Sequence, residues 1–233
     1  MTIEEMHVSF RELGQQMGMQ TTRAIFPEDI DLCLNTAIVN KVREIIATHI
    51  GKTNYTDKIA RQGEGLSPIN ALRTLYTFKD IQASSLNGSG VQLDPYTCTI
   101  SDENVLLYTG FQLGYDTSLY DCRIIEAERL GFTIHDFCNR PSKTSPIIVI
   151  YGDENFINCN IYTGRNGNIK PNIVRYLYIR IPAKVHYDED ALENNVDCDL
   201  PYYLHSEIVL DAVKFYLSSV GAIPNDKNRN VTT

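Results

Sequence analysis

Apolar residues recur at helical spacing in three parts of the chain: after Thr2, after Pro27 and after Pro201. Spacings of three and four place side chains on one face of a helix, so three amphipathic helices are predicted. The core-facing residues are Ile3, Met6, Phe10, Leu13 and Met17 in the first helix, Ile30, Leu34, Ala37, Ile38, Val42, Ile45 and Ile46 in the second, and Leu204, Ile208, Val209, Ala212, Val213, Tyr216, Leu217 and Val220 in the third.

The ends of these helices carry recognisable signals. Thr2 and Glu5 fit a capping box, in which each side chain accepts a hydrogen bond from a backbone N–H of the first turn. Pro27 suits a first helical turn, where its missing N–H is not needed. Gly51 and Gly221 follow the last apolar positions of the second and third helices, as glycines at helix C-termini commonly do.

Between residues 81 and 185 the pattern changes to short runs rich in β-branched and aromatic residues. This composition is typical of strands. The clearest predicted strands are Val105–Tyr108, Ile147–Tyr151, Phe156–Tyr162 and Val174–Ile181. Asn166-Gly167 separates the last two, and Asn-Gly favours a type I′ turn, so a hairpin is predicted there.

Several polar stretches separate these elements. Gly51–Leu66 is a long polar segment, which we expect a partner to order. A short helix is predicted after Ser67, with apolar residues Ile69, Leu72, Leu75 and Tyr76. Ser84–Gly90 is expected to be a flexible connection into the strands.

The pattern predicts an α+β fold in which the N-terminal and C-terminal helices pack together and a β-rich middle region is inserted between them. The expected division is a helical core of residues 1–80 plus 200–223, a β-rich insertion of residues 81–199, and a flexible tail of residues 224–233.

Charge is unevenly distributed along the 233 residues, whose net charge is −8. Residues 187–233 contain three Lys or Arg against nine Asp or Glu, and residues 187–211 contain eight acidic residues and no basic one. Such a segment repels a phosphate backbone, which disfavours nucleic acid as the main partner. We expect the segment either to dock on a basic partner surface or to face an aqueous channel; a solvated linker is the alternative.

Targeting signals and cysteine pairs are not evident in the sequence. The apolar runs are far shorter than the ~20 residues of a membrane-spanning helix, and the N-terminus lacks the pattern of a signal peptide. The six cysteines stand singly, which favours reduced structural thiols over a disulfide framework or a zinc site. They are Cys33, Cys98, Cys122, Cys138, Cys159 and Cys198.

Candidate chemistry is weak, and the sequence nominates no catalytic, cofactor-binding or metal-binding residue. None of the common catalytic motifs, such as H-E-x-x-H, G-x-S-x-G or a Walker loop, occurs. Five short motifs are better interpreted as surface or loop residues than as sites: His135-Asp136, Gly63-x-Gly65, Gly88-x-Gly90, Asp153-Glu154 and Asp188-Glu189-Asp190.

Five stretches spread over nearly the whole chain form a distinctive series: Phe26–Ile46, Ile69–Tyr76, Phe137–Pro146, Arg175–Val185 and Leu200–Leu217. The series resembles the neck and tail structural proteins of crAss-like bacteriophages, the ring-forming adaptors stacked between portal and tail. The pairing of Tyr-Ile-Arg-Ile-Pro (residues 178–182) with the following Leu-Pro and Leu-His-x-Glu-Ile-Val segments carries most of this resemblance.

The resemblance implies a non-enzymatic virion protein that is assembled in the host bacterial cytoplasm. It implies a closed homo-oligomeric ring, twelve-fold to match a portal, that contacts the portal and other neck and tail ring proteins. DNA would pass through the ring as cargo, without a cofactor or a membrane. Two alternatives remain open: a phage-encoded hydrolase that uses a carboxylate pair such as Asp188 and Glu193, and a monomeric assembly chaperone.

Overall fold

The structure is a computed structural model that describes residues 1–17, 25–49, 70–91, 93–101, 104–152, 156–164, 170–189 and 191–220. The fold is α+β, as predicted. The helices are α1 (Ile3–Gln16), α2 (Pro27–His49), α3 (Leu130–His135) and α4 (His205–Ser219). The strands are β1 (Tyr76–Gln82), β2 (Tyr96–Ile100), β3 (Val105–Tyr115), β4 (Ser118–Asp121), β5 (Arg123–Ile124), β6 (Ile147–Gly152), β7 (Ile157–Tyr162) and β8 (Ile173–Arg180).

The chain divides into two compact units. We call them the helical unit, Met1–Leu75 with Pro182–Thr233, and the β unit, Tyr76–Ile181. The boundaries therefore differ from the expected ones at 81 and 199. Residues 76–80 belong to an edge strand that pairs with β8, and residues 182–199 are hydrogen-bonded to the helices.

In the helical unit, α4 packs against both α1 and α2, so the N-terminal and C-terminal helices come together as predicted. Ile3, Met6 and Phe10 are fully buried, whereas Met17 at the end of the α1 stripe is exposed. The predicted apolar faces of α2 and α4 are buried over most of their length. The capping box is confirmed, because Thr2 Oγ1 accepts from Glu5 N at 3.3 Å and Glu5 Oε2 accepts from Thr2 N at 3.0 Å.

The β unit consists of two four-stranded sheets. The first has the order β1-β8-β3-β4 and is antiparallel, and the second has the order β2-β7-β6-β5 with β5 parallel to β6. Residues from both sheets share one core, which includes Tyr96, Cys98, Phe111, Leu113, Ile148, Cys159, Val174, Tyr176 and Tyr178. Helix α3 covers another cluster of the second sheet, placing Leu130 and Ile134 against Ile147, Val149 and Tyr162.

The four strands predicted from the sequence fall on β3, β6, β7 and β8. The predicted hairpin between the last two is wrong, because β7 pairs with β2 and β6 whereas β8 pairs with β1 and β3 in the other sheet. Burial of each strand in a different sheet contributes more than the preference of a two-residue turn, so the turn signal did not decide the pairing. The hairpin of the first sheet joins β3 to β4 instead, with Asp116 at a φ of +50°.

Other predictions fall partly or wholly beyond what the structure describes. Gly51–Leu66, the Asn-Gly dipeptide and the tail of residues 224–233 lie outside the described residues. Of the short helix predicted after Ser67, residues 70–72 are helical and Tyr76 begins β1.

Candidate functional site

Residues 182–199, of which all but residue 190 are described, form an irregular segment that we call the strap. The strap is closed on itself by paired backbone hydrogen bonds between His186 and Val196, at 3.2 and 2.9 Å. Asn195 Oδ1 adds a bond from Asp188 N at 2.7 Å. The strap therefore has a defined local conformation, although the 3-10 turn Leu192–Asn194 is the only helix or strand among its described residues.

Side chains of α2 satisfy the backbone of the strap. Asn35 Nδ2 donates to Val185 O at 3.0 Å, and Val185 N donates to Asn35 Oδ1 at 2.9 Å. Asp31, one helical turn earlier, accepts from Tyr187 N at 3.1 Å. Residues four apart lie on the same face of a helix, so Asp31 and Asn35 together hold the strap against α2.

The Asp31 carboxylate is also the centre of a three-residue group that we call the imidazole cluster: His7, Asp31 and His186. Asp31 Oδ1 lies 2.8 Å from His7 Nε2, and Asp31 Oδ2 lies 3.1 Å from His186 Nδ1. An ionised carboxylate can only accept hydrogen bonds, so both imidazole nitrogens facing it carry protons. The other nitrogen of His7, Nδ1, is buried and has no hydrogen-bond partner among the described residues.

His7 is enclosed by groups from α1, α2 and the strap. Its side chain is 2% exposed, and the ring of Tyr187 lies over it with 4.7 Å between the ring centroids. Burial lowers the pKa of His7 below its usual range; the hydrogen bond and charge of Asp31 act in the opposite direction without cancelling this effect. Burial therefore favours the neutral imidazole, in which Nε2–H donates to Asp31 Oδ1.

Several acidic residues of the 187–211 segment bind groups of the helical unit itself. Asp197 Oδ1 accepts from Ile3 N at the start of α1, at 2.7 Å, where the helix dipole favours a negative charge. Asp199 Oδ2 accepts from Ala183 N at 2.9 Å. Glu207 Oε1 pairs with Lys41 Nζ at 2.7 Å. Some acidic side chains of this segment thus attach the strap to α1 and α4 to α2.

The carboxylates considered for a hydrolase lie in a turn of the strap. Asp188 Oδ1 accepts from Ala191 N at 3.2 Å, and Glu193 is exposed in the following 3-10 turn. A groove of about 330 Å³ in the helical unit is lined by other residues: Ala37, Asn40, Lys41, Glu44, Asp211, Lys214 and Phe215. The hydrogen bond from Ala191 N gives Asp188 a structural role in its turn.

His135-Asp136 occupies the end of α3, and both residues are exposed. Asp136 accepts hydrogen bonds from Asn139 Nδ2 at 2.6 Å and from Cys138 N at 2.9 Å. These bonds hold the pKa of the Asp136 carboxyl below its usual range. Asp136 therefore organises the loop that follows α3.

The glycines of Gly88-x-Gly90 have a conformational role. Gly88 has a φ of +95° and Gly90 a φ of +78°. A Cβ on Gly88 would lie 2.0 Å from Pro95 O, and one on Gly90 would lie 2.4 Å from the Tyr96 ring. The segment predicted as a flexible connection is thus packed on the start of β2. Gly63-x-Gly65 and Asp153-Glu154 lie outside the described residues.

Cys98 and Cys159 face each other across β2 and β7, and both are buried. Thr97 exchanges two backbone hydrogen bonds with Asn87 on the far side of β2, so Cys98 directs its own N–H and C=O toward β7. Such a hydrogen-bonded pair has Cα atoms about 5.5 Å apart, with Cβ atoms farther apart than the ~3.8 Å of a disulfide. This register agrees with the free state of the two thiols.

Two groups of exposed aromatic side chains stand out. On the β unit, Phe132 is 85% and Phe137 is 79% exposed, and the Arg140 guanidinium lies 5.0 Å from the Phe137 ring centre. We call these three residues the β-unit patch. On the helical unit, Tyr202 is 78% exposed and its ring meets that of Tyr203 edge to face, with centroids 6.2 Å apart. We call this pair the helical-unit patch.

No family model and no curated protein sequence matches this chain. Within the described ranges, none of the helices combines the length and apolar character required to cross a bilayer. Among the same residues, three or more metal-ligating side chains do not come together in a group able to hold an ion.

Sequence reasoning missed the imidazole cluster, although parts of it left a signal. His7 stands four residues after Ile3 and three before Phe10, which places it on the apolar face of α1. A histidine there must be buried or must interrupt the face. Nothing in the sequence indicated that Asp31 and His186, 155 residues apart, would meet.

Proposed function

We propose that this protein is a structural component of a bacteriophage virion and forms a closed homo-oligomeric ring between portal and tail. The observation that carries the proposal is the exposure of aromatic side chains on both units, in the β-unit patch and the helical-unit patch. The resemblance of the sequence to phage neck and tail ring proteins supplies the kind of assembly.

Aromatic exposure of this extent favours burial against another protein surface. Removing a phenylalanine side chain from water contributes about 1.5–3 kcal/mol. Aromatic residues and arginine are enriched where protein interfaces are most tightly packed. Phe137 with Arg140 stacked on its ring combines both residue types, so the β-unit patch is the stronger candidate for a contact.

Two different patches on one chain support contacts of the head-to-tail kind. When one surface of a protomer binds a different surface of the next, the same contact repeats around an axis and closes into a ring if the rotation allows. Twelve copies would match a portal. The portal and the other ring proteins of the neck and tail are then the axial partners, and the site of action is the virion, after assembly in the host cytoplasm.

Charge supports a passive role toward DNA. The net charge is −8, and residues 187–233 carry most of the excess of acid over base. Ion pairs such as Glu207 with Lys41 satisfy individual side chains, but the net negative field of the region remains. A negatively charged channel surface repels phosphates, so duplex DNA could pass through the ring as cargo without binding.

The mass of the full-length protein in solution tests this function. We expect light scattering to show a discrete oligomer, alone or with the portal and adjoining neck proteins, and negative-stain images to show rings. A strictly monomeric species in every mixture would contradict the proposal. A monomer that is also missing from purified particles would support the assembly chaperone instead.

Substitutions in the β-unit patch test whether its exposed aromatic rings form the contact between protomers. Phe132→Ser combined with Phe137→Ser should abolish the oligomer or weaken its association at least tenfold, with an unchanged circular dichroism spectrum. Leu119→Ser removes a half-exposed apolar side chain from β4 and serves as the matched control. Equal assembly of both variants would exclude the β-unit patch from the contact.

A further inference from the structure

The strap is joined to the helices by groups that meet at His7. Tyr187 of the strap supplies the ring that covers His7, and Tyr187 N and His186 Nδ1 bind the same carboxylate that His7 binds. If the strap leaves α2, His7 loses its cover and becomes accessible to water. Opening of the strap and protonation of His7 are therefore coupled.

We propose that the strap is an acid-released latch, in which neutral His7 permits the closed position and protonated His7 favours the open one. The inference is independent of the ring proposed above.

The geometry of the closed position disfavours a second proton on His7. That proton must go to Nδ1, because Nε2–H already donates to Asp31 Oδ1. Nδ1 is enclosed and meets no acceptor among the described residues. An N–H created there would be a buried donor without a partner, on a ring carrying a buried charge.

Charged groups on α1, α2 and the strap also affect the protonation of His7. Asp31 on α2 and Glu189 on the strap favour the protonated ring, whereas burial and Arg11 on α1 disfavour it. The burial contribution is the largest, so the pKa of His7 in the closed position lies below that of a hydrated imidazole. The Tyr187 ring is inclined by 46° to the His7 ring, with centroids 4.7 Å apart.

His186 binds the other oxygen of the same carboxylate, Asp31 Oδ2, at 3.1 Å. Its side chain is 54% exposed, and water screens charge interactions at that level of exposure. His7, which is enclosed, therefore determines the direction of the response to acid.

The direction follows from proton linkage. In the open position His7 is hydrated and titrates near pH 6.5, the usual value for histidine. In the closed position it titrates at a lower pH. The closed position is thus fully favoured above about pH 6.5 and loses up to tenfold in its equilibrium constant for each pH unit below that, until the closed form is protonated as well.

Amide hydrogen exchange of the full-length protein between pH 7.5 and 5.0 tests the latch. Val185 N and Tyr187 N, which donate to Asn35 and Asp31, report on the strap. Val174 N and Tyr176 N of β8, a strand paired on both sides, report on the β unit. After correction for intrinsic exchange rates, protection of the strap amides should fall by up to tenfold per pH unit below about 6.5, while that of the β8 amides should not.

His7→Gln distinguishes the latch from general acid destabilisation. A glutamine amide can still donate to Asp31 but cannot be protonated, so its strap protection should be independent of pH. His135→Gln, which replaces an exposed histidine of the β unit, is the matched control and should keep the response of the wild type. A response to acid in His7→Gln equal to that of the wild type would overturn the proposal.

The wild type alone provides a further measurement should His7→Gln fail to fold. The nitrogen chemical shifts of His7 report its protonation directly. We expect Nδ1 to become protonated over the pH range in which the strap amides lose protection. Strap amides that keep full protection while His7 becomes protonated, or that lose it while His7 stays neutral, would overturn the latch.

Discussion

The helical unit and the β unit satisfy their buried backbone groups in different ways. In the β unit, neighbouring strands pair in regular ladders, and the space between the sheets is filled by apolar side chains, tyrosines and thiols. In the helical unit, an irregular strap lies on the helices. Asp31 and Asn35 of α2 bind its backbone, and Asp197 of the strap accepts from Ile3 N of α1.

The difference determines how each unit responds to change. A ladder distributes its hydrogen bonds over many residues, so the β unit should be most sensitive to lost volume in its core. The strap depends on a few side chains, and one of them, Asp31, also binds the enclosed His7. The helical unit should therefore be sensitive to single polar substitutions and to pH.

The largest effect is expected from a cavity in the β unit. Phe111 is almost completely buried between the sheets, so Phe111→Ala should lower the free energy of unfolding by about 3–5 kcal/mol in urea denaturation. Phe132→Ala is the matched control, since its ring is exposed, and should change stability by less than about 0.5 kcal/mol. Similar losses in both variants would show that packing volume does not govern the β unit.

A smaller effect is expected where the strap meets α2. Asn35→Ala removes two hydrogen bonds to Val185 and should cost about 2 kcal/mol. Thr36→Ala, whose hydroxyl bonds within α2 to Leu32 O, should be close to neutral. If Asn35→Ala were as mild as this control, strap attachment would not depend on single polar side chains.

The smallest effect is expected from an ion pair on the first sheet. Arg175 Nε and Nη2 donate to the two oxygens of Asp80 at 2.8 and 3.0 Å, linking β1 to β8. Asp80→Asn should cost about 0.5–1 kcal/mol, and less in high salt. Asp121→Asn, whose partner is the neutral Gln112, should show no such salt dependence. A larger cost for Asp80→Asn that persists in salt would indicate that polar contacts matter as much in the β unit.

The Asp80 ion pair also gives the β unit a response to acid that is separate from the latch. The hydrogen bonds from Arg175 lower the pKa of Asp80. Its stabilising contribution is therefore present above the unfolded pKa of about 3.9 and is lost as the pH falls through the lower folded value. The strap should respond to acid near pH 6.5 and this ion pair only below about pH 4.

Local signals predicted the helices well and the strand pairings poorly. The start of α1 at its capping box and of α2 at Pro27 could be predicted because caps and apolar periodicity act within a few residues. The Asn-Gly dipeptide carried an equally local preference, yet β7 and β8 lie in different sheets. A turn preference of this size cannot compete with the burial of whole strands.

The sequence by itself determined the α+β class, the buried faces of α1, α2 and α4, and the acidity of the strap region, since these depend on residue type and short-range periodicity. Tertiary structure alone decided that the strap belongs to the helical unit and that His7, Asp31 and His186 meet. Asp31 is separated by 24 residues from His7 and by 155 from His186. Contacts at such separations form because the helices and the strap bury a common surface, and local sequence carries no record of which surfaces will meet.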